Sequence, residues 1–280
     1  MIFESFYCKE EVDLEKTLFS GQIFSFKKIN DVFVGNIQNN LFFLKSDSLN
    51  EIKYFTKDDD LKTEEKQNIL EKFFTLDISY ENLQNRIRGL RLLRLEKNET
   101  LFSFICSSNN NVKRITNMVQ HLNSKGEFIL EYEGHKFYKF PDFETISKLE
   151  NDLKENKFGY RANYIIKTAE KLLELKKEKN FSLNDLENLK FEETRKFLCG
   201  LKGIGIKVAD CICLMGFYHF DVTPVDVHVF RKAKEIFKLK ENRLNEKVAN
   251  KIRSCFIEKY GKFAGIEQLF LFYSGMSKKI

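Results

Sequence analysis

The segment that most constrains this chain is GLKGIGIKVADCICLMGF, which runs from Gly200 to Phe217. Residues 201–205 are too few and too rich in glycine to be helical, and an apolar helical pattern follows them. This order predicts a helix, a tight glycine turn and a second helix. Amide N–H groups at such a turn and at the start of the second helix point outward, which suits a phosphate.

Two chemically useful side chains lie close to this turn. Lys207 falls in the first turn of the second helix, and Asp226 follows within PVDVHVF, which begins at Pro224. The positive end of a helix and partial burial both disfavour an ammonium, so we expect a lowered pKa for Lys207. A neutral lysine amine is a nucleophile that forms Schiff bases. An isolated lysine would more often be a surface residue that contacts phosphate or nothing, and an aspartate after a proline is commonly a helix N-cap.

These residues resemble the helix-hairpin-helix, Gly/Pro-rich loop and aspartate of the base-excision DNA glycosylases. Within that superfamily, KVADCICLM followed by PVDVH is similar to the 8-oxoguanine DNA glycosylase/AP lyase family. Further segments match in order: SGQIF at Ser20, RLLR at Arg91, FSFICSSNNN at Phe102, GYRA at Gly159 and AGIEQLFLF at Ala264. The resemblance therefore covers most of the chain, from near residue 20 to near residue 273.

Composition and charge agree with an intracellular DNA-binding protein. Lys and Arg number 47 against 41 Asp and Glu, a mild basic excess that fits a polyanionic partner. The first residues show no basic region followed by an apolar one, and the apolar run at 211–220 is too short to cross a bilayer. Six cysteines without framework spacing indicate reduced thiols. We expect a cytoplasmic monomer, nucleoid-associated if bacterial, that is neither secreted nor membrane-bound.

The pattern predicts an α+β fold with two domains. Residues 1–95 contain short aromatic-rich segments separated by Asn and Asp, which predict an antiparallel sheet, with a helical segment at about 62–87. Residues 96–280 have helical periodicity almost throughout and form a bundle that contains the helix-hairpin-helix. Endonuclease III-type relatives carry a four-cysteine iron–sulfur motif near the C-terminus. Only Cys255 lies in that region here, so we expect no cluster and no cofactor.

The resemblance assigns catalysis to Lys207 and Asp226. Lys207 would attack the sugar and form the Schiff base. The carboxylate of Asp226 would stabilise an oxocarbenium-like sugar as the base departs, and would help to deprotonate Lys207.

The resemblance also assigns a pocket for the extruded base. The carbonyl of Gly21 would accept the N7–H that only the oxidised purine presents, and Gln268 would bond the Watson–Crick edge. Phe272 would stack on one face of the base. The thiol of Cys211 would lie against the other face, and a nearby ammonium would favour its thiolate. From the residues alone, Gly21 is equally a strand bulge, and Phe or Cys is ordinarily core packing, as we expect for Cys213.

Four residues would handle the opposite strand, where extrusion leaves an orphan base and a hole. Tyr160 would wedge between base steps, whereas Asn109, Arg114 and Arg161 would read an orphan cytosine. Alternatively, Asn109 only ends a helix and the arginines meet phosphate.

DNA phosphate contacts and a cation site complete the inferred site. By family position, the phosphate contacts fall on Gly203, Gly205, Val208 and His228. A monovalent, non-catalytic cation would be held by the carbonyls of Cys199, Leu201 and Ile204. The chain departs from vertebrate members at Gly275, where they carry a carboxylate that helps to hold the base pocket.

The preferred function is a DNA N-glycosylase and AP lyase that excises 8-oxoguanine opposite cytosine from duplex DNA, then nicks the strand by β-elimination. Two alternatives remain. The same scaffold can serve another base specificity, or the chain can be a non-catalytic helix-hairpin-helix DNA-binding protein, which would need the glycine turn but neither Lys207 nor Asp226.

Overall fold

The computed structural model describes residues 1–57 and 60–276. Its N-terminal part contains a five-stranded antiparallel sheet in the order β1-β5-β4-β3-β2. The strands are β1 (Glu4–Tyr7), β2 (Lys27–Ile29), β3 (Val32–Ile37), β4 (Asn40–Ser48) and β5 (Glu51–Thr56).

Local sequence explains the sheet. In β5 buried and partly exposed residues alternate, as a strand with one face on a core requires. The turn between β3 and β4 is Gln38-Asn39, and both residues have positive φ, which matches the right-handed twist of a two-residue hairpin. Val34 pairs with Phe43 across this hairpin.

Helices make up most of the remaining chain. They are α1 (Leu14–Leu18), α2 (Thr63–Phe73), α3 (Lys97–Ser107), α4 (Val112–Asn123), α5 (Phe143–Ser147), α6 (Glu150–Glu155), α7 (Tyr160–Lys179), α8 (Phe191–Cys199), α9 (Ile206–Gly216), α10 (Val227–Phe237), α11 (Glu246–Tyr260) and α12 (Ala264–Met276). Short 3₁₀ helices cover Leu183–Leu186 and Gly261–Phe263. The α+β class is confirmed.

Two details of the predicted fold are wrong. The helix predicted for 62–87 ends at Phe73, because the buried guanidinium of Arg91 takes up the carbonyls of Phe74, Thr75 and Ile78 that a continuing helix would use. A small hairpin of β6 (Phe128–Tyr132) and β7 (His135–Tyr138) interrupts the region predicted to be helical.

Helices α3 and α9 form the centre of the larger core. Leu101 and Phe102 of α3 are fully buried, and Cys213 of α9 faces this core, as predicted. The backbone N–H of Leu95 donates to the carbonyl of Met215 at 2.9 Å, which ties the entry of α3 to the end of α9. The core cluster joins residues from both sides of the boundary predicted at 95, and the division into two domains stays a prediction.

The described ranges contain neither a helix suited to a membrane nor a cluster of side chains suited to a metal ion. None of the helices there is both long and apolar enough to span a bilayer. Within the same ranges, no three His, Cys, Asp or Glu side chains lie together as metal ligands would.

Candidate active site

The glycine turn joins α8 to α9, as predicted. Gly203 has φ 85°, and a Cβ there would lie 2.3 Å from the ring of Tyr164, so only glycine fits. Gly205 is the N-cap of α9 and supplies no side-chain cap. The first intrahelical bond of α9 is donated by Ala209, so the amide N–H groups before it have no acceptor within the helix. The turn thus offers the unpaired donors that a phosphate requires.

A single cleft brings together all residues predicted for catalysis and base binding. Its empty volume is about 460 Å³, including the space open to solvent. The predicted residues in its lining are Lys207, Asp226, Gly21, Cys211, Gln268 and Phe272. The other lining residues are Ser20, Gln22, Leu92, Phe104, Leu214, Met215, Pro224 and Leu269. Residues more than two hundred positions apart in the chain therefore meet at one site.

Lys207 lies partly buried in the first turn of α9, with Nζ 5.9 Å from the ring centroid of Phe104. The predicted direction of its pKa is wrong. Burial does act to lower the pKa of Lys207, but its interactions with the Cys211 side chain and with the carboxylate of Asp226 outweigh burial and raise it. The resting side chain is therefore an ammonium, which would have to lose a proton before the predicted attack.

Cys211 lies one turn beyond Lys207 and is buried against it. Burial raises the pKa of the Cys211 thiol, and the positive charge of Lys207 offsets only part of this effect. The neutral thiol, rather than the predicted thiolate, is the favoured form at neutral pH.

Asp226 is the N-cap of α10. One carboxylate oxygen, Oδ1, accepts from the backbone N–H groups of His228 (2.9 Å) and Val229 (2.8 Å). The cap fixes the carboxylate at the cleft and still leaves Oδ2 available. The structural and the functional interpretations of Asp226 are thus compatible.

Gly21 lies in a bend before β2, not in a strand bulge. Its φ is 85°, and a Cβ there would lie 3.7 Å from the ring of Phe272. Gln22, which the sequence interpretation overlooked, fixes this bend. Its amide donates to Ser20 Oγ and to the carbonyl of Arg91, both at 2.9 Å, and accepts from the backbone N–H of Leu93.

Helix α12 supplies the opposite wall of the cleft. Gln268 is 7% exposed, and among the described residues its side-chain amide has no hydrogen-bond partner. The ring of Phe272 meets the ring of His228 edge-on, with centroids 6.1 Å apart. His228 therefore braces the ring predicted to stack on the base, a contact that sequence spacing does not indicate.

The residues predicted for the opposite strand cluster around the end of α3. The carbonyl of Ser108 accepts from the hydroxyl of Tyr160 and from Nε of Arg161, both at 3.1 Å. Arg161 also donates to the carbonyl of Asn109 at 2.9 Å. Arg161 is buried, whereas Asn109 and Tyr160 are exposed. In this arrangement Arg161 supports the loop, and its reading of an orphan base stays a prediction.

Arg114 lies exposed nearby and donates from Nη2 to the carbonyl of Lys157 at 2.9 Å. Asn109 has φ 48°, a left-handed conformation that asparagine tolerates better than most residues. Hydrogen bonds to backbone carbonyls thus fix the exposed side chains of Arg114 and Tyr160. Asn109 is placed by its left-handed backbone conformation. Their contacts with DNA stay predictions.

The predicted cation site lies at the same hairpin. Ile204 donates its backbone N–H to the carbonyl of Leu201 at 3.3 Å, which occupies one lone pair of that oxygen and leaves the other. The site at the carbonyls of Cys199, Leu201 and Ile204 stays a prediction, as do the phosphate contacts of Val208 and His228.

Asp210, one turn along α9 from Lys207, is a structural support for this helix that the sequence interpretation missed. It is fully buried between Arg195 and Arg253, each with a guanidinium nitrogen 2.9 Å from a carboxylate oxygen. The cluster ties α9 to α8 and α11. A charged residue inside the apolar KVADCICLM run was the available signal.

Two family models match the chain. "8-oxoguanine DNA glycosylase, N-terminal domain" matches residues 6–115, and "HhH-GPD superfamily base excision DNA repair protein" matches residues 102–256. The second match alone covers more than half of the chain and includes the hairpin, Lys207 and Asp226.

Individual relatives and a solved structure agree with the two family matches. The N-glycosylase/DNA lyase of Saccharomyces cerevisiae is 34% identical, with 94% of this chain and 83% of that protein aligned. N-glycosylase/DNA lyase OGG1 of Arabidopsis thaliana is 36% identical over 71% of this chain, which spans 56% of that protein. The solved structure of MBOgg1 in complex with a low-affinity DNA ligand superimposes with a TM-score of 0.84 and 25% identity over the whole of both chains. The chain therefore belongs to the 8-oxoguanine DNA glycosylase/AP lyase family, within the helix-hairpin-helix superfamily of base excision DNA repair proteins.

Proposed function

We propose that this protein is a bifunctional enzyme that removes 8-oxoguanine from duplex DNA and then nicks the strand at the abasic site. The observation that carries the proposal is the single cleft in which Lys207 and Asp226 face the predicted base-binding residues. A nucleophile and a carboxylate in the lining of one partly apolar cleft suit an enzyme that reacts with a flipped nucleotide.

The first chemical step is attack of Lys207 on the sugar. The ammonium first loses a proton, for which the carboxylate of Asp226 is the acceptor in the same cleft. Nζ then bonds to C1′, and the glycosidic bond breaks with its electron pair going to the base, which takes up a proton. Asp226 passes the proton that it took from Lys207 to the departing base, and its restored negative charge stabilises the positive charge that develops on the sugar. Opening of the sugar ring yields the protonated Schiff base.

The second step cuts the strand. The Schiff base acidifies the C2′ hydrogens, so loss of one proton expels the 3′ phosphate oxygen by β-elimination. Water then hydrolyses the imine and regenerates Lys207. No cofactor is required for either step.

Recognition of the base rests on the two walls of the cleft. Phe272 and Cys211 would enclose the faces of the base, and Gln268 and the carbonyl of Gly21 would bond its edges. A Cβ added to Gly21 would lie 3.7 Å from the ring of Phe272, and this proximity supports the arrangement, because it brings the Gly21 segment close to the ring proposed to stack on the base. The side-chain amide of Gln268, which lines the cleft, supplies the hydrogen-bonding groups that a base edge requires.

Duplex binding uses the surface around the cleft. The glycine turn would hold phosphate, Tyr160 would fill the gap left by the extruded base, and Asn109 and Arg114 would favour cytosine opposite the lesion. We further propose a cytoplasmic monomer. Light scattering during size-exclusion chromatography would test the monomer, and fractionation of cells of the source organism would test the location.

Borohydride trapping tests the mechanism. Incubation with a duplex containing 8-oxoguanine opposite cytosine should yield a covalent protein–DNA adduct, and Lys207→Gln should abolish it. Lys72→Gln, at an exposed lysine in α2 outside the cleft, is the control and should form the adduct normally. An adduct formed by Lys207→Gln would refute the nucleophile.

The role of Asp226 needs a variant that preserves the helix cap. Asp226→Asn keeps an oxygen for the N–H groups of His228 and Val229 but removes the charge, so trapping should slow by at least about tenfold with little change in stability. Asn245→Ala removes the equivalent cap of α11 and should not slow trapping. A panel of duplexes with other damaged bases separates the proposed specificity from another specificity on the same scaffold.

A further inference from the structure

We propose that Glu267 is a positioning residue for base recognition, one that fixes the rotation and depth of α12 in the cleft. The inference rests on the proposed function, because it concerns how the cleft binds the base. Glu267 does not line the cleft itself.

The carboxylate of Glu267 is buried and bound by amide donors. It is 1% exposed, and it accepts from the backbone N–H groups of Gln84 at 2.6 Å and Asn85 at 3.0 Å. The side-chain amide of Asn85 donates to the same carboxylate at 2.8 Å. No Lys, Arg or His of the described chain forms an ion pair with Glu267. A buried carboxylate held by three amide donors is a directional clamp.

The clamp connects α12 to a segment far away in the sequence. Residues 84–85 lie in the irregular stretch after α2, and Asn85 also donates to the hydroxyl of Tyr260 at 3.1 Å. A second contact reinforces the clamp, because the ring of Phe270 meets Tyr80 edge-on with centroids 5.9 Å apart. The 80–85 segment therefore contacts α12 at two residues, Glu267 and Phe270.

Two different faces of α12 contact the 80–85 segment and line the cleft. Glu267 and Phe270 are three residues apart and lie on one face. Gln268 and Phe272 are four residues apart and lie on the face that lines the cleft. A rotation of α12 that breaks the clamp therefore moves both base-contacting side chains together. Since hydrogen-bonded and stacked recognition requires placement to within a fraction of an ångström, loosening the clamp should weaken base excision.

The lyase reaction provides an internal control. An abasic site has no base for Gln268 or Phe272 to contact, whereas Lys207 and Asp226 still act on it. We expect Glu267→Gln to lower kcat/KM for excision of 8-oxoguanine by at least about tenfold, while nicking of a duplex with a preformed abasic site stays within about twofold of wild type. Gln268→Ala should show the same separation of the two activities.

Glu258→Gln is the matched control, since Glu258 is an exposed residue on the neighbouring α11, and neither activity should change. Assays are run at a temperature at which circular dichroism shows all variants folded. A parallel fall of both activities in Glu267→Gln would show a merely structural role, and two unchanged activities would show that the clamp does not position α12. Either result overturns the proposal.

The design also separates this proposal from the proposed function. If the wild-type protein nicks abasic DNA but excises a different damaged base, the proposed specificity fails, and the Glu267 comparison is made with that base. If wild type acts on neither substrate, the enzymatic function itself fails, and the proposal falls with it.

Discussion

Replacement of Glu99 should make the stability of the protein depend less on pH. Glu99 lies in the first turn of α3, is 8% exposed, and its Oε1 has no partner among the described residues. Burial raises the pKa of Glu99 to about 7 from the usual 4.5, an effect that the nearby Ser25 hydroxyl reduces and Glu96 increases. The folded protein therefore holds this proton more tightly than the unfolded chain does.

The sign of the effect follows from this difference. Its contribution to folding is fully present below about pH 4.5, fades as pH rises, and is lost above about pH 7. At about 1.4 kcal/mol per pH unit, the loss reaches about 3 kcal/mol. Glu99→Gln mimics the neutral acid, so it should exceed wild type in free energy of unfolding by up to about 3 kcal/mol at pH 8, and by about 1 kcal/mol or less at pH 5.

Urea unfolding followed by far-UV circular dichroism measures this difference, since the chain contains no tryptophan for fluorescence. Glu64→Gln, at an exposed position in the first turn of α2, is the control and should change stability little at either pH. An equal difference between Glu99→Gln and wild type at the two pH values would refute the argument, because it would mean that Glu99 does not titrate between them.

Three further outcomes are expected. Gly203→Ala places a Cβ 2.3 Å from the ring of Tyr164, and duplex affinity measured by fluorescence anisotropy should fall at least about tenfold; unchanged affinity would separate the turn from DNA binding. Asp210→Ala leaves two arginines without their shared carboxylate, which should cost about 3 kcal/mol and lower Tm by roughly 10 °C in calorimetry; a Tm within about 2 °C of wild type would contradict this. Tyr160→Ala should slow excision from a fully paired duplex more than excision from a lesion in an unpaired bubble, where less unstacking is needed; equal slowing would argue against a wedge.

Sequence patterns were sufficient where local chemistry determines the structure. The glycine turn, the N-cap at Asp226 and the helices around them follow from residue types at short spacing. The convergence of Gly21 with Phe272 came from the family resemblance, because no local pattern joins residues so far apart. The cleft then placed them together.

The sequence interpretation did not predict two effects that act between distant residues. One is the electrostatic effect of neighbouring groups on Lys207, and the other is the binding of backbone carbonyls by the side chain of Arg91. The pKa of Lys207 depends on Cys211 and Asp226 together, and their combined effect outweighs that of burial. The early end of α2 depends on Arg91, which lies well downstream and removes the carbonyls that a longer helix needs. Such effects are set by which side chains meet in space, and helical periodicity carries no information about them.

The presence of Gly21 and Phe272 in one cleft has a consequence for how the molecule is made. Roughly 250 residues separate these two parts of the cleft lining, so a chain emerging from the ribosome can complete its sheet and its hairpin long before the cleft exists. The cleft is complete only after α12 has been synthesised and has docked, because Gln268, Leu269 and Phe272 of this helix form part of its lining. If these residues bind the base as proposed, the protein gains its ability to distinguish bases at the last stage of its synthesis.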